Sequence, residues 1–527
     1  LFLLLWSGVL GAPLEARYRF GVGVAQGSIE DYDVEQLRAG WYVNWHTTMN
    51  PSTSAGMEYV QMVRLHQLTA CWPQQTRDRE ECPYVEPYTY TLWSPGTKSH
   101  PGNLSDVALV AQVNPGSLWL IGNEMDRRDW EGGGQDEMLP QLYAQAYHEL
   151  YHVIKDADPA ASVAIGGVVQ PTPFRLEYLD EVLDEYQARY GAMIPVDVWN
   201  IHNMILREGI YQYGADIPPG NDAYWGMLYT FDDADDIEVF KQQIRDFRQW
   251  MKDKGERDKP LIISEYSVLY GESQGFDYQR VKDYLYATFD FLTTATDASL
   301  GYPADDNRLV QRWAWYSLDD AEFEGAVTHH HLFDPQAHQI VQLGVDYGTY
   351  PDESAMFSSR IEVGWNSIAL ALDPLTSLTA DDLCQKIADQ GGAIAEVDRW
   401  YAGGWQGHIC GLPFNNFAID VGTGYFVKST AVSTWTVGGF KISDPVPLDL
   451  EIGWNSVSIP HSGAYSAESL CDEITNQGVT ALEIDRWYAG GWQGHICGLP
   501  FNDFAIEPGK GYFVKAGSAG QVTPAGE

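Results

Sequence analysis

Between Tyr18 and Tyr350 short apolar runs alternate with longer amphipathic stretches. Eight runs read as strands: Phe20–Val24 (FGVGV), Trp41–Trp45 (WYVNW), Tyr59–Leu65 (YVQMVRL), Leu118–Gly122 (LWLIG), Ser162–Ile165 (SVAI), Val196–Ile201 (VDVWNI), Leu261–Ser264 (LIIS) and Val310–Trp315 (VQRWAW). They are rich in β-branched and aromatic residues and carry few charges, the pattern of strands covered on both faces in a parallel sheet. Between several of them apolar residues recur at three and four, which predicts helices over Leu139–Ala157, Leu176–Tyr190, Ile237–Lys254 and Tyr278–Ala295. Eight strands alternating with helices predict an α/β fold, a (β/α)8 TIM barrel. An open doubly wound sheet is the structural competitor, and no GxGxxG follows the first strand to favour a dinucleotide-binding version of it.

From about Ser358 the pattern becomes a tandem repeat. Asp398–Asn415 (DRWYAGGWQGHICGLPFN) recurs letter for letter at Asp485–Asn502, and Gly364-Trp365-Asn366 returns as Gly453-Trp454-Asn455. Each copy has strand-like ends, a helical middle and one pair of cysteines, so two small disulfide-stapled α+β repeat modules are expected. The expected layout is a leader remnant or N-terminal extension over 1–17, a barrel over 18–357, and modules over 358–445 and 446–527.

The six cysteines pair locally as Cys71 with Cys82, Cys384 with Cys410, and Cys471 with Cys497, with no CxxC metal spacing among them. Three disulfides imply an oxidising compartment. Leu1–Leu10 (LFLLLWSGVL) is too short to span a bilayer and has the character of a secretory signal, so a secreted, extracellular protein without a membrane span is expected. A net charge of −41 repels phosphate backbones and excludes nucleic acid as a partner. The 19 Trp and 31 Tyr exceed ordinary core needs and suit a carbohydrate partner, since a flat ring matches the C–H face of a sugar. In the repeats, Trp400, Trp405, Trp487 and Trp492 are either module core or a glycan or cell-surface contact.

In a barrel enzyme the chemistry lies where strands end. The fourth run ends in Gly122-Asn123-Glu124 and the seventh in Ser264-Glu265-Tyr266, which aims two carboxylates at one mouth. Retaining glycosidases need such a pair, one acid to protonate the leaving oxygen and one carboxylate to attack the anomeric carbon. His202 and Asn203 end the sixth run and are candidates to orient the nucleophile or a sugar hydroxyl, the alternative being a structural hydrogen bond at the rim. Tyr266, Trp45, Trp130 and Trp225 are candidates for substrate contacts. His329-His330-His331 carries no metal-ligand spacing, Gly132-Gly133-Gly134 lacks the Lys of a P-loop, and no Gly-x-Ser-x-Gly elbow is present. No metal and no cofactor are expected.

Asn-Glu closing strand four with Glu closing strand seven resembles glycoside hydrolase clan A over roughly Tyr18 to Tyr350. Trp41–Trp45, Tyr59–Met62 and Ile121–Glu124 resemble the compact endo-β-1,3-glucanases of that clan, with Met125 standing where proline is usual. The resemblance implies Glu124 as acid/base, Glu265 as nucleophile and Asn123 on the sugar 2-hydroxyl. It also implies a Trp flooring the cleavage point at the end of strand eight, Trp315 in preference to Trp313. The function expected is retaining hydrolysis of β-glycosidic bonds in a polysaccharide, within the chain. An inactive glycan-binding or cell-surface protein on the same scaffold is the competing expectation, and transglycosylation is a third.

Overall fold

The computed structural model describes residues 16–71, 76–92, 102–130, 134–210, 213–323, 326–374, 378–440, 442, 445–460 and 465–525. The apolar leader and Gly132-Gly133 lie outside the described residues. The chain forms two compact units. One is built from the described residues up to Thr288 with Ala298–Pro351, the other from Phe289–Asp297 and the chain from Asp352 onward. No helix among the described residues is long and apolar enough to cross a membrane.

The first unit carries eight parallel strands where the apolar runs predict them. They are β1 (Phe20–Gly23), β2 (Trp41–Val43), β3 (Glu58–Tyr59 continuing as Gln61–Val63), β4 (Leu118–Asn123), β5 (Ser162–Gly167), β6 (Trp199–His202), β7 (Leu261–Tyr266) and β8 (Arg312–Tyr316). One sheet runs β3-β2-β1-β8-β7-β6 and another β3-β4-β5. Parallel bridges Ala164–Val198 and Val168–Ile201 join β5 to β6. Helices α1 (Leu104–Val113), α2 (Pro140–Ala157), α3 (Pro173–Tyr190), α4 (Ile237–Asp253) and α5 (Tyr278–Thr294) follow strands β3 to β7. Pro140 and Pro173 open their helices at the position where a missing N–H is harmless. Asp236 caps α4 by accepting from the amides of Glu238 and Val239.

Trp41, Val43, Val60, Met62, Leu118, Leu120, Ala164, Val198, Ile262 and Ala314 pack together as one buried cluster drawn from strands β2 to β8. The period of two then fixes which later residues share that inner face. Val198 places His202 with it, and Ala314 places Tyr316 with it. Trp313, Trp315 and Asn203 point the other way, toward the helices.

The second unit holds two four-stranded antiparallel sheets of the same order. In the first, β9 (Gly364–Ala369), β10 (Ile394–Tyr401), β11 (Gly404–Ile409) and β12 (Gly424–Ser429) are arranged β9-β12-β10-β11. In the second, β13 (Gly453–Val457), β14 (Ala481–Tyr488), β15 (Gly491–Ile496) and β16 (Tyr512–Ala516) are arranged β13-β16-β14-β15. Helix α6 (Ala380–Asp389) covers the first sheet and α7 (Ala467–Asn476) the second, each tied by its disulfide, Cys384–Cys410 and Cys471–Cys497. The third disulfide is Cys71–Cys82.

Candidate active site

Glu265 faces the mouth because strand β7 is irregular. Ile262 is inward, so plain alternation would send Glu265 toward the helices and Tyr266 inward. The register of β7 shifts between Ile263 and Glu265 against β6, and between Ile263 and Tyr266 against β8. Such an irregularity re-aims side chains. Glu265 therefore turns into the site, while Tyr266 is fully buried against Phe240 of α4 and Trp315.

Glu124 follows β4 with φ 52°, a left-handed conformation that L-residues adopt at a cost of about 1–3 kcal/mol. Its amide donates to the Gly167 carbonyl at 3.0 Å, which holds the turn. Asp136 ties down the preceding residues: one carboxylate oxygen accepts from the amides of Asn123 and Leu65, each at 2.9 Å, joining the ends of β4 and β3.

Glu124, Glu265 and His202 converge, with one carboxylate oxygen or ring nitrogen of each within 4.8 Å of the other two. His202 Nδ1 lies 3.1 Å from Glu124 Oε1 and 3.8 Å from Glu265 Oε2. Arg127 Nη1 donates to Glu124 Oε2 at 2.9 Å, and its Nη2 donates to the Gly214 carbonyl at 3.0 Å. Trp45 Nε1 donates to Glu265 Oε2 at 3.1 Å. Trp45 also has positive φ, 57°, and its ring stands 5.6 Å from that of Tyr316. Gly23 makes room for it, since a Cβ there would meet the indole at 2.8 Å.

The charges set the proton inventory. Burial raises the carboxyl of Glu124, but Arg127 and His202 outweigh it and hold it well below the ordinary carboxylate range. Burial pushes Glu265 up to about 7; His202 and the Trp45 N–H draw it down, and the charge of Glu124 raises it. Burial depresses His202, and the two carboxylates more than reverse this. Below about pH 7 the pair carries one proton, and it rests on Glu265.

The other expected contacts divide by strand face. His202 is in the site, with its buried Nε2 lacking a hydrogen-bond partner. Asn123 adjoins it, and its buried Oδ1 likewise lacks one. Asn203 is turned away and donates to the Phe240 carbonyl at 3.2 Å. Trp313 and Trp315 are fully buried, and Trp315 packs on Tyr266 and Tyr284 and donates to the His330 carbonyl. Neither indole can floor a sugar site. The aromatic ring at the end of β8 that reaches the mouth is Tyr316. Trp130 is part-buried beneath the guanidinium of Arg77 at 3.8 Å and beside that of Arg127 at 5.1 Å. Trp225 is 51% exposed in the loop after β6.

Arg127, Asp136 and Tyr316 were not singled out from the sequence. Arg127 could have been, as a cation three residues after Glu124. A cavity of about 110 Å³ opens beside Arg127, walled by Tyr213, Phe231, Tyr270 and Phe323.

Three clusters have metal-ligating atom types: Glu124/His202/Glu265, Asp381/Cys384/His408 and Glu468/Cys471/His495. In the last two the sulfur is in a disulfide and offers no thiolate. In the first, Arg127 already supplies positive charge to Glu124. His330 bonds the Val268 carbonyl and His329 bonds Glu272.

No family model matches the chain, and no curated protein does. Among solved structures it is similar to a GH128 (subgroup I) endo-β-1,3-glucanase from Amycolatopsis mediterranei, with 16% identity over 63% of this chain and 98% of that one at TM-score 0.36. It is similar to a glucosidase from Croceicoccus marinus, with 13% identity over 98% of both chains at TM-score 0.38. A GH128 (subgroup VII) oligosaccharide-binding protein from Trichoderma gamsii is similar at 11% identity, over 64% of this chain and 94% of that one, with TM-score 0.36.

Proposed function

We propose that the first unit is a (β/α)8 barrel and that the protein is a secreted, retaining glycoside hydrolase acting within β-linked polysaccharide chains. The observation that carries this is the meeting of buried Glu124 and part-buried Glu265, from the ends of strands four and seven, with an oxygen of each within 4.8 Å of the other. Double displacement uses carboxyl groups about 5–5.5 Å apart, whereas inversion needs about 6.5–9.5 Å to admit a water. One proton shared by the pair is the state such a reaction starts from.

In the first assignment of roles, Glu124 protonates the leaving oxygen and Glu265 attacks the anomeric carbon. The Asn123 Oδ1 without a partner then accepts from a sugar hydroxyl, and His202 orients Glu124. β-1,3-Glucan is the first substrate to try, by the resemblance of Trp41–Trp45 and Ile121–Glu124 to endo-β-1,3-glucanases. The barrel spans about 18–357, with the two repeat modules after it.

A second assignment is favoured by the Arg127–Glu124 ion pair. It keeps Glu124 ionised and leaves the proton on Glu265, which suits Glu124 as nucleophile and Glu265 as acid.

The test is a panel of β-linked polysaccharides with reducing-end detection and NMR of the first-formed anomer. Glu124→Ala and Glu265→Ala should each abolish turnover. Azide should rescue the nucleophile variant as a glycosyl azide of inverted configuration, and so assign the roles. Full activity in either alanine variant ends the proposal. Binding of oligosaccharide without turnover would establish the competing glycan-binding scaffold.

A further inference from the structure

The two repeat modules allow a comparison within one chain. Both copies must fold the same way, so water-facing positions are free to differ, whereas apolar core positions must stay apolar. The helices obey this. Ala380, Leu383, Cys384 and Ile387 of α6 are buried and match Ala467, Leu470, Cys471 and Ile474 of α7. Exposed Asp382, Gln385 and Ala388 have become Ser469, Asp472 and Thr475. The β10–β11 hairpin does not obey it. Trp405 is 49% exposed and its counterpart Trp492 is 48% exposed, in a segment identical throughout. Identity at exposed apolar positions, beside drift at exposed helix positions, indicates a constraint other than folding.

The geometry joins these positions into one surface. The modules meet reciprocally: Trp400 Nε1 donates to the Trp454 carbonyl and Trp487 Nε1 to the Trp365 carbonyl, each at 2.9 Å. Ser367 Oγ donates to the Gly511 carbonyl and Ser456 Oγ to that of Gly424, each at 2.8 Å. This is the self-complementary pattern of a twofold interface. Phe426 and Phe513 lie within it. Trp405 stands 5.2 Å from Phe426 and 5.6 Å from Phe513; Trp492 stands 5.5 Å and 5.1 Å from them. The two half-exposed indoles thus flank one pair of phenyl rings. On the same faces, Asp398 and Asp485 each hold a buried carboxylate oxygen without a hydrogen-bond partner. Each lies over a glycine, Gly407 or Gly494, where a Cβ would come within 2.6 Å of that oxygen.

We propose that this strip, Trp405 and Trp492 with Asp398 and Asp485, is a binding site for a neutral polysaccharide. The rings offer flat faces to sugar C–H groups, and the carboxylates accept from hydroxyls. A net charge of −41 and the carboxylates themselves exclude anionic polymers and anionic lipid. Asp398 and Asp485 are part-exposed, so an apolar protein partner would strip water from their carboxylates without replacing it, whereas a polyol supplies donors. Only the choice of polymer rests on the hydrolase reading.

The experiment uses the full chain carrying Glu265→Ala, so that the polymer is not consumed. It is sedimented with insoluble β-1,3-glucan, and in parallel with cellulose and mannan. Trp405→Ala and Trp492→Ala should each weaken retention about tenfold, and the double variant about 10²-fold or more, as expected when two linked contacts are lost. Asp398→Asn with Asp485→Asn, which keeps the rings and the fold, should also weaken it. With Glu265 intact, the double tryptophan variant should hydrolyse soluble oligosaccharide as the unsubstituted chain does. Parental retention of the double variant, or no retention of the parent on any polymer, overturns the proposal. Retention without hydrolysis by the intact chain overturns the hydrolase reading alone.

Discussion

Replacing Glu265 by Gln should stabilise the protein at pH 8 and leave it unchanged at pH 4. Glu265 titrates near 7 in the folded chain against an ordinary 4.5. Below the unfolded value both states hold the proton, and its site contributes nothing to the pH dependence. Between 4.5 and about 7 the folded chain retains a proton that the unfolded chain releases. Stability therefore falls as pH rises, by about 1.4 kcal/mol per pH unit. The fall is complete above about 7 and totals about 3 kcal/mol. The side chain is 13% exposed, so water screens a little of this and the observable difference is about 2–3 kcal/mol. Glutamine keeps the shape, its amide oxygen can still accept from Trp45 Nε1, and it has no charge to desolvate. Guanidinium unfolding of both chains at pH 4, 6 and 8, followed by tryptophan fluorescence, reads the gap directly. A gap of equal size at pH 4 and 8, or a glutamine variant that is less stable at pH 8, would refute the reasoning. The same substitution should remove turnover, the trade expected of an active-site carboxylate.

Arg127→Met removes the cation on Glu124 and moves the shared proton toward it. The pH profile of kcat/KM should lose activity on its acid side if Glu124 is the nucleophile, and extend on its alkaline side if Glu124 is the acid; an unchanged profile would show that Arg127 does not set the protonation. Gly23→Ala drives a methyl into the indole of Trp45 and should lower kcat/KM about 10²-fold with little loss of thermal stability, because Trp45 positions Glu265; parental kinetics would refute this. Trp315→Ala should cost about 3–5 kcal/mol of stability as a core truncation, whereas Tyr316→Ala should act mainly on KM; the opposite assignment in unfolding and kinetic assays would return Trp315 to the site.

The strands were legible because apolar runs flanked by amphipathic helices leave few ways to bury both. The placing of two glutamates at strand ends was legible for the same reason. What alternation could not give was the face of each residue near those ends. Trp313 and Trp315 share a face by the period of two, but only the inward packing of Ala314 says which, and it turns Tyr316 to the mouth. Tyr266 and Glu265 exchange faces at the irregularity in β7, which depends on register with two neighbours distant in the sequence. Asn203 is out of the site by one residue of the same alternation. In the repeats, the sequence showed the duplication but not that Trp400 and Trp487 donate across the junction between modules.

The asymmetry of the carboxylate pair follows from which donors each strand end can supply. Glu124 sits on a tight turn, where Arg127 three residues later folds back onto its carboxylate at 2.9 Å. Glu265 lies within an extended strand, whose neighbours in sequence point elsewhere. Its direct donor is the neutral N–H of Trp45, and the His202 ring lies 3.8 Å away, closer still to Glu124. A neutral donor compensates less for lost hydration than a guanidinium does. The proton therefore settles on the strand-borne glutamate, and the turn that strains Glu124 also delivers the charge that keeps it ionised. Bound sugar that displaces water from Glu265 reinforces that placement, whereas sugar that draws Arg127 away from Glu124 reverses it. The roles of the two carboxylates thus depend on whether Arg127 stays on Glu124 when substrate binds.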